Sequence, residues 1–191
     1  MTVTAVALNS DQSSALRNKG VVDSKLLSLN RIRELSRIIQ ENCTAHHTVT
    51  IAPQRFNQLL REIRNEGKTL NDLLAWGHAK AIDNVYEMLN AGDDRYKIRI
   101  IIDEFDRIKT ERRLSGLLAK SGFVVEQSPL AEENTAVASA GIVARASREE
   151  WIDRESGRLN RDLRKLTPVD VTTLPEFALI AKTSFLKHEK G

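Results

Sequence analysis

Residues 97–106 constrain the fold of this 191-residue chain more than any other stretch. Four of the first six residues are isoleucines, and such a β-branched run is typical of a central strand buried on both faces. Three carboxylates follow it, at Asp103, Glu104 and Asp106. Because α/β proteins commonly place their chemistry where strands end, these residues are candidates for a metal site or an acid–base group. A solvated strand end, where acidic residues are ordinary, is the alternative interpretation.

Strand and helix signals alternate along the rest of the chain. Runs of β-branched residues predict strands at residues 2–8 and 48–51. Apolar residues at helical spacing predict a helix that begins near Ser28 and a longer one over residues 70–89. With no linker, internal repeat or Gly-rich phosphate loop, this pattern indicates an α/β fold in which residues 1–191 form a single domain.

The composition excludes several classes of protein. With 41% hydrophobic and 29% charged residues, the chain resembles a globular domain and not a disordered one. No apolar run approaches the roughly 18 residues that a membrane span needs, so no membrane partner is expected. Cys43 is the single cysteine, which excludes an internal disulfide and a thiolate metal cluster and predicts a cytoplasmic protein. The net charge of +3 is too small to identify a partner.

A run of small residues predicts a buried helix late in the chain. Residues 131–146 are rich in alanine, serine and glycine, which allow a helix to approach a sheet or another helix very closely. The pattern becomes polar at Arg145, Arg148, Glu149 and Glu150, so this end of the helix is expected to reach solvent or a cleft. The arginines that follow are spaced among acidic residues, as on a solvated face.

The histidines give no metal motif. His46 and His47 are adjacent on a predicted extended segment, so their side chains point to opposite sides and make a poor pair of ligands. His78 lies inside the predicted helix of residues 70–89, and we interpret it as a partly buried core residue and not as a ligand.

The last helix is predicted to begin at Pro175, which suits a first turn. Its apolar residues Phe177, Ile180, Ala181 and Phe185 are expected to be buried against the rest of the domain.

Six stretches of the sequence, in order and at suitable spacing, resemble the type 2 ribonucleases H, and within them ribonuclease HIII more than ribonuclease HII. These stretches are residues 22–27, 51–57, 69–82, 102–105, 131–145 and 181–185. The similarity is strongest in residues 69–82, which read Thr-Leu-Asn-Asp-Leu-Leu-Ala-Trp-Gly-His-Ala-Lys-Ala-Ile.

The resemblance implies a ribonuclease H-like fold, with a mixed central sheet flanked by helices, that cleaves the RNA strand of an RNA/DNA hybrid. The family uses four carboxylates and divalent ions, Mg²⁺ or Mn²⁺, because two cations about 4 Å apart stabilise the attacking water and the leaving oxygen. Asp103 stands at the family's strand-end carboxylate, and Glu149 aligns with its helix-borne carboxylate. Asp106 and Glu150 are the alternative ligands.

The resemblance also implies a surface that contacts nucleic acid. Asp23, Ser24 and Lys25 match a segment that would contact the phosphates of the hybrid, the hydroxyl by hydrogen bond and the ammonium by charge. Lys182, in the closing motif, is a further candidate. Glu149 has a second interpretation, because Arg145 lies four residues before it and the two can form a surface ion pair on one face of a helix.

The sequence departs from the family pattern in ways that leave two functions open. It contains no Asp-Glu-x-Gly, the opening strand and turn that supply half of the family's metal ligands, and no separate N-terminal substrate-binding domain. The first strands are therefore expected to be truncated, with the opening strand lost from the gene model or supplied by a second chain. The alternative is a catalytically silent relative that binds nucleic acid or a protein partner.

Overall fold

The computed structural model describes residues 1–89, 98–103, 112, 115, 124–128 and 133–186. Its strands are β1 (Thr2–Ala7), β2 (Ala45–Thr50), β3 (Arg99–Asp103) and β4 (Val124–Ser128). Its helices are α1 (Ser10–Asn18), α2 (Leu29–Asn42), α3 (Pro53–Asn65), α4 (Leu70–Met88), α5 (Thr135–Arg158), α6 (Pro168–Thr172) and α7 (Phe177–Ile180). Short 3-10 turns cover Ser24–Leu26, Leu163–Lys165 and Thr183–Phe185. Within these described residues, no helix has both the length and the apolar character of a membrane span.

Four strands form two pairs in the part of the chain that the structure describes. β1 and β2 are antiparallel, with Thr2 opposite Thr50 and Ala7 opposite Ala45. β3 and β4 are parallel, with Asp103 opposite Ser128. The long helix α5 contacts β1, β2 and β3, and therefore packs against both pairs. This mixture of parallel and antiparallel pairs beside helices confirms the predicted α/β class.

The predicted small-residue helix is part of a large buried cluster. Ala138, Ile142 and Ala146 of α5 pack with the fully buried Ile32 and Leu35 of α2. The Asn134 side chain caps the start of α5 by accepting a hydrogen bond from the backbone N–H at position 136.

The helix α5 continues to Arg158, well beyond the predicted end of the small-residue run. Ala146, Glu149 and Ile152 are buried and follow one another at helical spacing. The polar half of the helix therefore keeps one face against the domain, and only its other faces reach solvent.

The helix α4 lies close against β1 at Gly77. A Cβ atom added at Gly77 would be 3.2 Å from Cγ2 of Val3, which is tighter than most real contacts. The helix begins at Leu70 with a capping box between Thr69 and Asp72, a local signal that the sequence carries. A second buried cluster, which includes Phe56 and Leu60, joins α3 to α4.

The end of the chain differs from the prediction. The helix α7 spans only Phe177–Ile180, and Phe185 lies beyond it with 59% of its surface exposed. The buried side chain of Asn57 holds this segment instead, because its Nδ2 donates to the carbonyl oxygens of Ala178 (3.1 Å) and Ala181 (2.8 Å). The prediction that Phe185 is buried in a last helix is therefore wrong, since the helix ends at Ile180 and Phe185 lies in the turn that follows. Phe177, Ile180 and Ala181 are partly buried.

Candidate active site

A groove of about 450 Å³ separates β1 from β3, and we call it the interstrand groove. All six residues of β1 and every residue from 98 to 103 line it. Because successive side chains of a strand point to opposite faces, a groove that touches every residue must run along the strand edge. Among the described residues, β1 pairs only with β2 and β3 only with β4. Backbone edges of two strands therefore face each other across the groove.

The floor of the interstrand groove is apolar and lined by small residues. Helix α4 contributes a row of side chains one turn apart, Leu74, His78, Ile82 and Tyr86. Helix α5 contributes small residues, namely Gly141 and the alanines at positions 136, 138, 140 and 144. Burial lowers the pKa of His78 to about 4, so its imidazole is neutral at physiological pH. The groove is thus shaped for an apolar occupant.

Asp103 lies at one end of β3, is exposed, and lines the interstrand groove. Asp23, Ser24 and Lys25, which we call the 23–25 turn, line the same groove. The Asp23 carboxylate shapes this turn by accepting a hydrogen bond from the backbone N–H of Lys25 at 3.0 Å. Arg145 fixes it to α5 by donating to the carbonyl oxygen of Ser24. The structure thereby brings the predicted strand-end carboxylate and the predicted phosphate-contacting turn to one cavity.

Glu149 lines a different groove, of about 940 Å³, which we call the aromatic-basic groove. Its other charged and aromatic lining residues are Arg148, Trp151, Arg164, Lys182 and Phe185. Glu149 is only 6% exposed, and its Oε2 accepts a hydrogen bond from Nε of Arg164 at 3.0 Å. Its Oε1 accepts another from Arg148.

The predicted surface ion pair between Arg145 and Glu149 is wrong. Arg145 is directed to the backbone of the 23–25 turn, and Glu149 is buried between two other guanidinium groups. The spacing of four residues was correct for a shared helix face, but Arg164 on a later turn competes for the carboxylate and Ser24 offers Arg145 a carbonyl acceptor.

The candidate metal ligands are divided between the two grooves. Asp103 lines one, Glu149 the other, and Thr2 lines both, so the grooves adjoin at the start of β1. Glu150 is exposed and lines neither groove. Asp106 lies outside the described residues. Among the residues that are described, no three His, Cys, Asp or Glu side chains are clustered closely enough to hold a metal ion.

Lys182 is separated from the other predicted nucleic-acid contacts. Its Nζ lies 4.6 Å from the ring centroid of Phe56 and 5.9 Å from that of Phe185, in the aromatic-basic groove. Burial and the nearby Arg148 lower the pKa of Lys182. The ammonium is thus held on aromatic faces, near a second cation, with a reduced preference for its charged form.

Sequence reasoning missed the residues that hold Glu149. Arg164 comes from the turn Leu163–Lys165 and also contacts Asp153, with 2.7 Å between its Nη2 and Oδ1 of Asp153. A hydrogen bond from Arg164, with help from Arg33, lowers the pKa of Asp153. No local signal marks this network, because its members come from α2, α5 and an irregular turn; the spaced arginines suggested only a solvated face.

Comparison with known proteins agrees with this architecture. The family model for ribonuclease HII matches residues 1–169. Ribonuclease HIII of Protochlamydia amoebophila is 34% identical over 164 residues, 85% of this chain and 50% of the relative. Ribonuclease HIII of Chlamydia pneumoniae is 34% identical over 73% of this chain and 43% of the relative. The chain thus spans about half the length of these curated relatives.

Solved structures give the same fold. A crystal structure of Bst-RNase HIII in complex with Mn²⁺ superposes with a TM-score of 0.77 at 22% identity, covering 96% of this chain and 61% of that one. Ribonuclease HII of Archaeoglobus fulgidus, solved in a complex with PCNA, superposes with a TM-score of 0.69 at 22% identity, covering 100% of this chain and 90% of that one. The fold is therefore ribonuclease H-like, and the chain belongs to the ribonuclease HII family, the type 2 ribonucleases H, within which it is most like ribonuclease HIII.

Proposed function

We propose that this protein takes part in hydrolysis of the RNA strand of RNA/DNA hybrids, with Mg²⁺ or Mn²⁺ as cofactor. The observation that carries the proposal is the interstrand groove, which gathers Asp103 and the 23–25 turn at one cavity. Ser24 would donate its hydroxyl to a phosphate of the hybrid, and the exposed ammonium of Lys25 would add charge. The Mn²⁺ complex of a ribonuclease HIII with the same fold supports the choice of metal.

The described carboxylates do not by themselves suit a two-metal centre. Hard divalent cations need several oxygen ligands held together, whereas Asp103 and Glu149 line separate grooves and Glu149 is occupied by two arginines. In the family mechanism the bound ions stabilise the attacking water and the leaving oxygen. Asp103 is the residue here best placed to hold one, because it is exposed within a groove that has room beside it.

We further propose that an extended Asp-Glu-x-Gly segment completes the site by inserting into the interstrand groove. Two strand edges facing one cavity offer backbone donors and acceptors on both sides, which is the geometry of strand addition. The apolar floor suits the alternating side chains of a strand, and the alanines of α5 leave space for them. An Asp and a Glu carried at the end of such a segment would join Asp103 and supply the missing ligands.

The source of the segment decides the form of the test. Two versions of the protein are prepared with the same Asp-Glu-x-Gly segment. In one the segment is fused ahead of Met1, and in the other it is added as a second chain. We expect metal-dependent cleavage of a labelled hybrid to appear in at least one of them. A fusion whose Asp-Glu is replaced by Asn-Gln is the matched control, since it fills the groove without adding ligands.

Asp103→Asn tests the role of the strand-end carboxylate within the active arrangement. We expect it to abolish cleavage, whereas Asp11→Asn, an exposed carboxylate on α1, should leave cleavage unchanged. Cleavage that persists in Asp103→Asn, or that fails to appear in either arrangement of the segment, would refute the proposal.

The proposed place of action is the cytoplasm. Cys43 is the one cysteine of the chain and forms no disulfide, and both this and the proposed substrate favour action there.

The second candidate function is a catalytically silent relative that binds nucleic acid or a protein. The observation that favours it is the pairing of Glu149 with Arg148 and Arg164, which leaves this carboxylate less able to hold a metal. It predicts salt-sensitive hybrid binding with no turnover in any arrangement of the segment. Hybrid cleavage that Asp103→Asn abolishes would exclude it.

A further inference from the structure

The aromatic-basic groove holds more positive than negative charge. Arg148, Arg164 and Lys182 line it, whereas Glu149 is its one acidic lining residue and is shared by the two arginines. Among the residues that the structure describes, no carboxylate lies within 4.0 Å of the Lys182 ammonium. A half-buried cation without an acidic partner lacks a compensating charge, so the groove favours an anionic ligand.

An aromatic ring stands beside these cations. Phe185 is 59% exposed, and one side of it faces Phe56 with the ring centroids 6.2 Å apart. Lys182 lies near both rings, so an anion that meets its ammonium also comes close to the exposed part of the Phe185 ring. Cations beside an accessible aromatic face are the combination that binds unpaired nucleotides, because the phosphate takes the charge and the base stacks on the ring.

We propose that the aromatic-basic groove binds single-stranded nucleic acid, with Lys182 and Arg148 on the phosphates and Phe185 stacked on a base. The base must be unpaired, because in a duplex its faces are covered by its neighbours. The volume of about 940 Å³ is at the upper end of the range, roughly 300–1,000 Å³, of pockets that enclose small ligands. Because Thr2 lines both grooves, the bound strand continues from the end of a hybrid that Asp103 and the 23–25 turn contact beside the interstrand groove.

This binding goes beyond hybrid cleavage and is measured without it. Fluorescence anisotropy with the chain as given, in the absence of divalent metal, compares a labelled single strand, a blunt hybrid and the same hybrid with a single-stranded overhang. We expect the overhang to tighten binding over the blunt hybrid. Failure of the nuclease proposal would not change this result, since no metal, inserted segment or turnover is involved.

Two substitutions separate stacking from charge. Phe185→Leu should weaken binding of the single strand roughly tenfold, within the range known for loss of one stacked base, while Phe185→Trp retains it. Lys182→Gln should reduce the slope of log K against log salt by about 0.7, the value for one phosphate contact with a single strand. Lys80→Gln, which removes an exposed charge from α4, should change neither quantity. Thermal melting confirms that each variant is folded.

The contrary outcomes are equally specific. Equal affinity for blunt and overhanging hybrids, or wild-type binding by both Phe185→Leu and Lys182→Gln, would overturn the proposal. Competition by polyglutamate as effective as that by the single strand would also overturn it, since the groove would then recognise negative charge alone.

Discussion

The interstrand groove has walls made of strand edges and a floor of small and apolar side chains. The aromatic-basic groove is instead lined by charged and aromatic side chains, of which Arg148, Arg164 and Glu149 pair with one another. The backbone edges of β1 and β3 form the first groove, and in our proposal its active site is incomplete until a further strand is added. The second is complete as it stands, because its cations, carboxylate and rings come from α3, α5 and two turns near the chain end. Substitution of single side chains should therefore lower the free energy of unfolding more at the second groove than at the first.

The largest effect is expected from Phe56→Ala. Phe56 is 1% exposed, packs in the cluster that joins α3 to α4, and supports both Lys182 and Phe185. Truncating a buried phenylalanine leaves a cavity and should lower the free energy of unfolding by about 3–5 kcal/mol, measured by urea denaturation. Leu26→Ala, at a residue that is 77% exposed beside the interstrand groove, should cost below about 0.5 kcal/mol. Similar losses for the two variants would mean that the buried packing of Phe56 does not stabilise the second groove.

The second effect compares the two candidate ligands. Glu149→Gln removes a buried negative charge that two arginines share, so it should lower the free energy of unfolding by about 2–3 kcal/mol; the partial exposure of both arginines limits the loss. Asp103→Asn affects an exposed carboxylate at a strand end and should change stability by less than about 0.5 kcal/mol. Chemical denaturation of both variants at neutral pH measures the difference.

Equal stability of these two variants would remove the structural distinction between the carboxylates. A stability loss confined to Asp103→Asn would reverse it, and would mean that the end of β3 contributes more to folding than its exposure indicates.

The third effect concerns pH and the floor of the interstrand groove. The pKa of His78 is about 4 in the folded protein and near its ordinary value of about 6.5 in the unfolded chain. The unfolded chain therefore binds a proton at a higher pH, so stability falls as the pH decreases from about 6.5 towards 4. The expected loss between about pH 7 and pH 5 is about 2 kcal/mol from this residue.

His78→Leu provides the comparison for this pH effect. Its free energy of unfolding should change less between about pH 7 and pH 5 than that of the wild type, because no imidazole remains to take up a proton. The same decrease in both proteins would show that His78 is not the residue responsible.

Local sequence signals predicted the elements but not the contacts of the second groove. The capped helix α4 and the buried small-residue part of α5 are encoded by neighbours in sequence, so periodicity was sufficient to find them. The family resemblance pointed to Asp103 and to the 23–25 turn separately, and both line one groove. The contact between Glu149 and Arg164 spans an irregular turn, and the segment that precedes Phe185 is held by hydrogen bonds from the distant Asn57. Neither leaves a periodic pattern, because each depends on how separate elements pack.

The smallest effect tests how far the charged network beyond the aromatic-basic groove contributes to the domain. Arg33 on α2 contacts Asp153 on α5 at 2.5 Å, but both side chains are more than two-fifths exposed. Solvent screens such pairs, so Arg33→Gln should lower the free energy of unfolding by less than about 1 kcal/mol, and less still at high salt. Arg37→Gln, which breaks an exposed pair within α2, is the matched control for the lost charge and helix propensity. A loss well above about 1 kcal/mol for Arg33→Gln alone would mean that Asp153, which also contacts Arg164, couples α2 to the position of Glu149. The geometry of the aromatic-basic groove would then depend on the contact between α2 and α5, as the geometry of the interstrand groove depends on its strands.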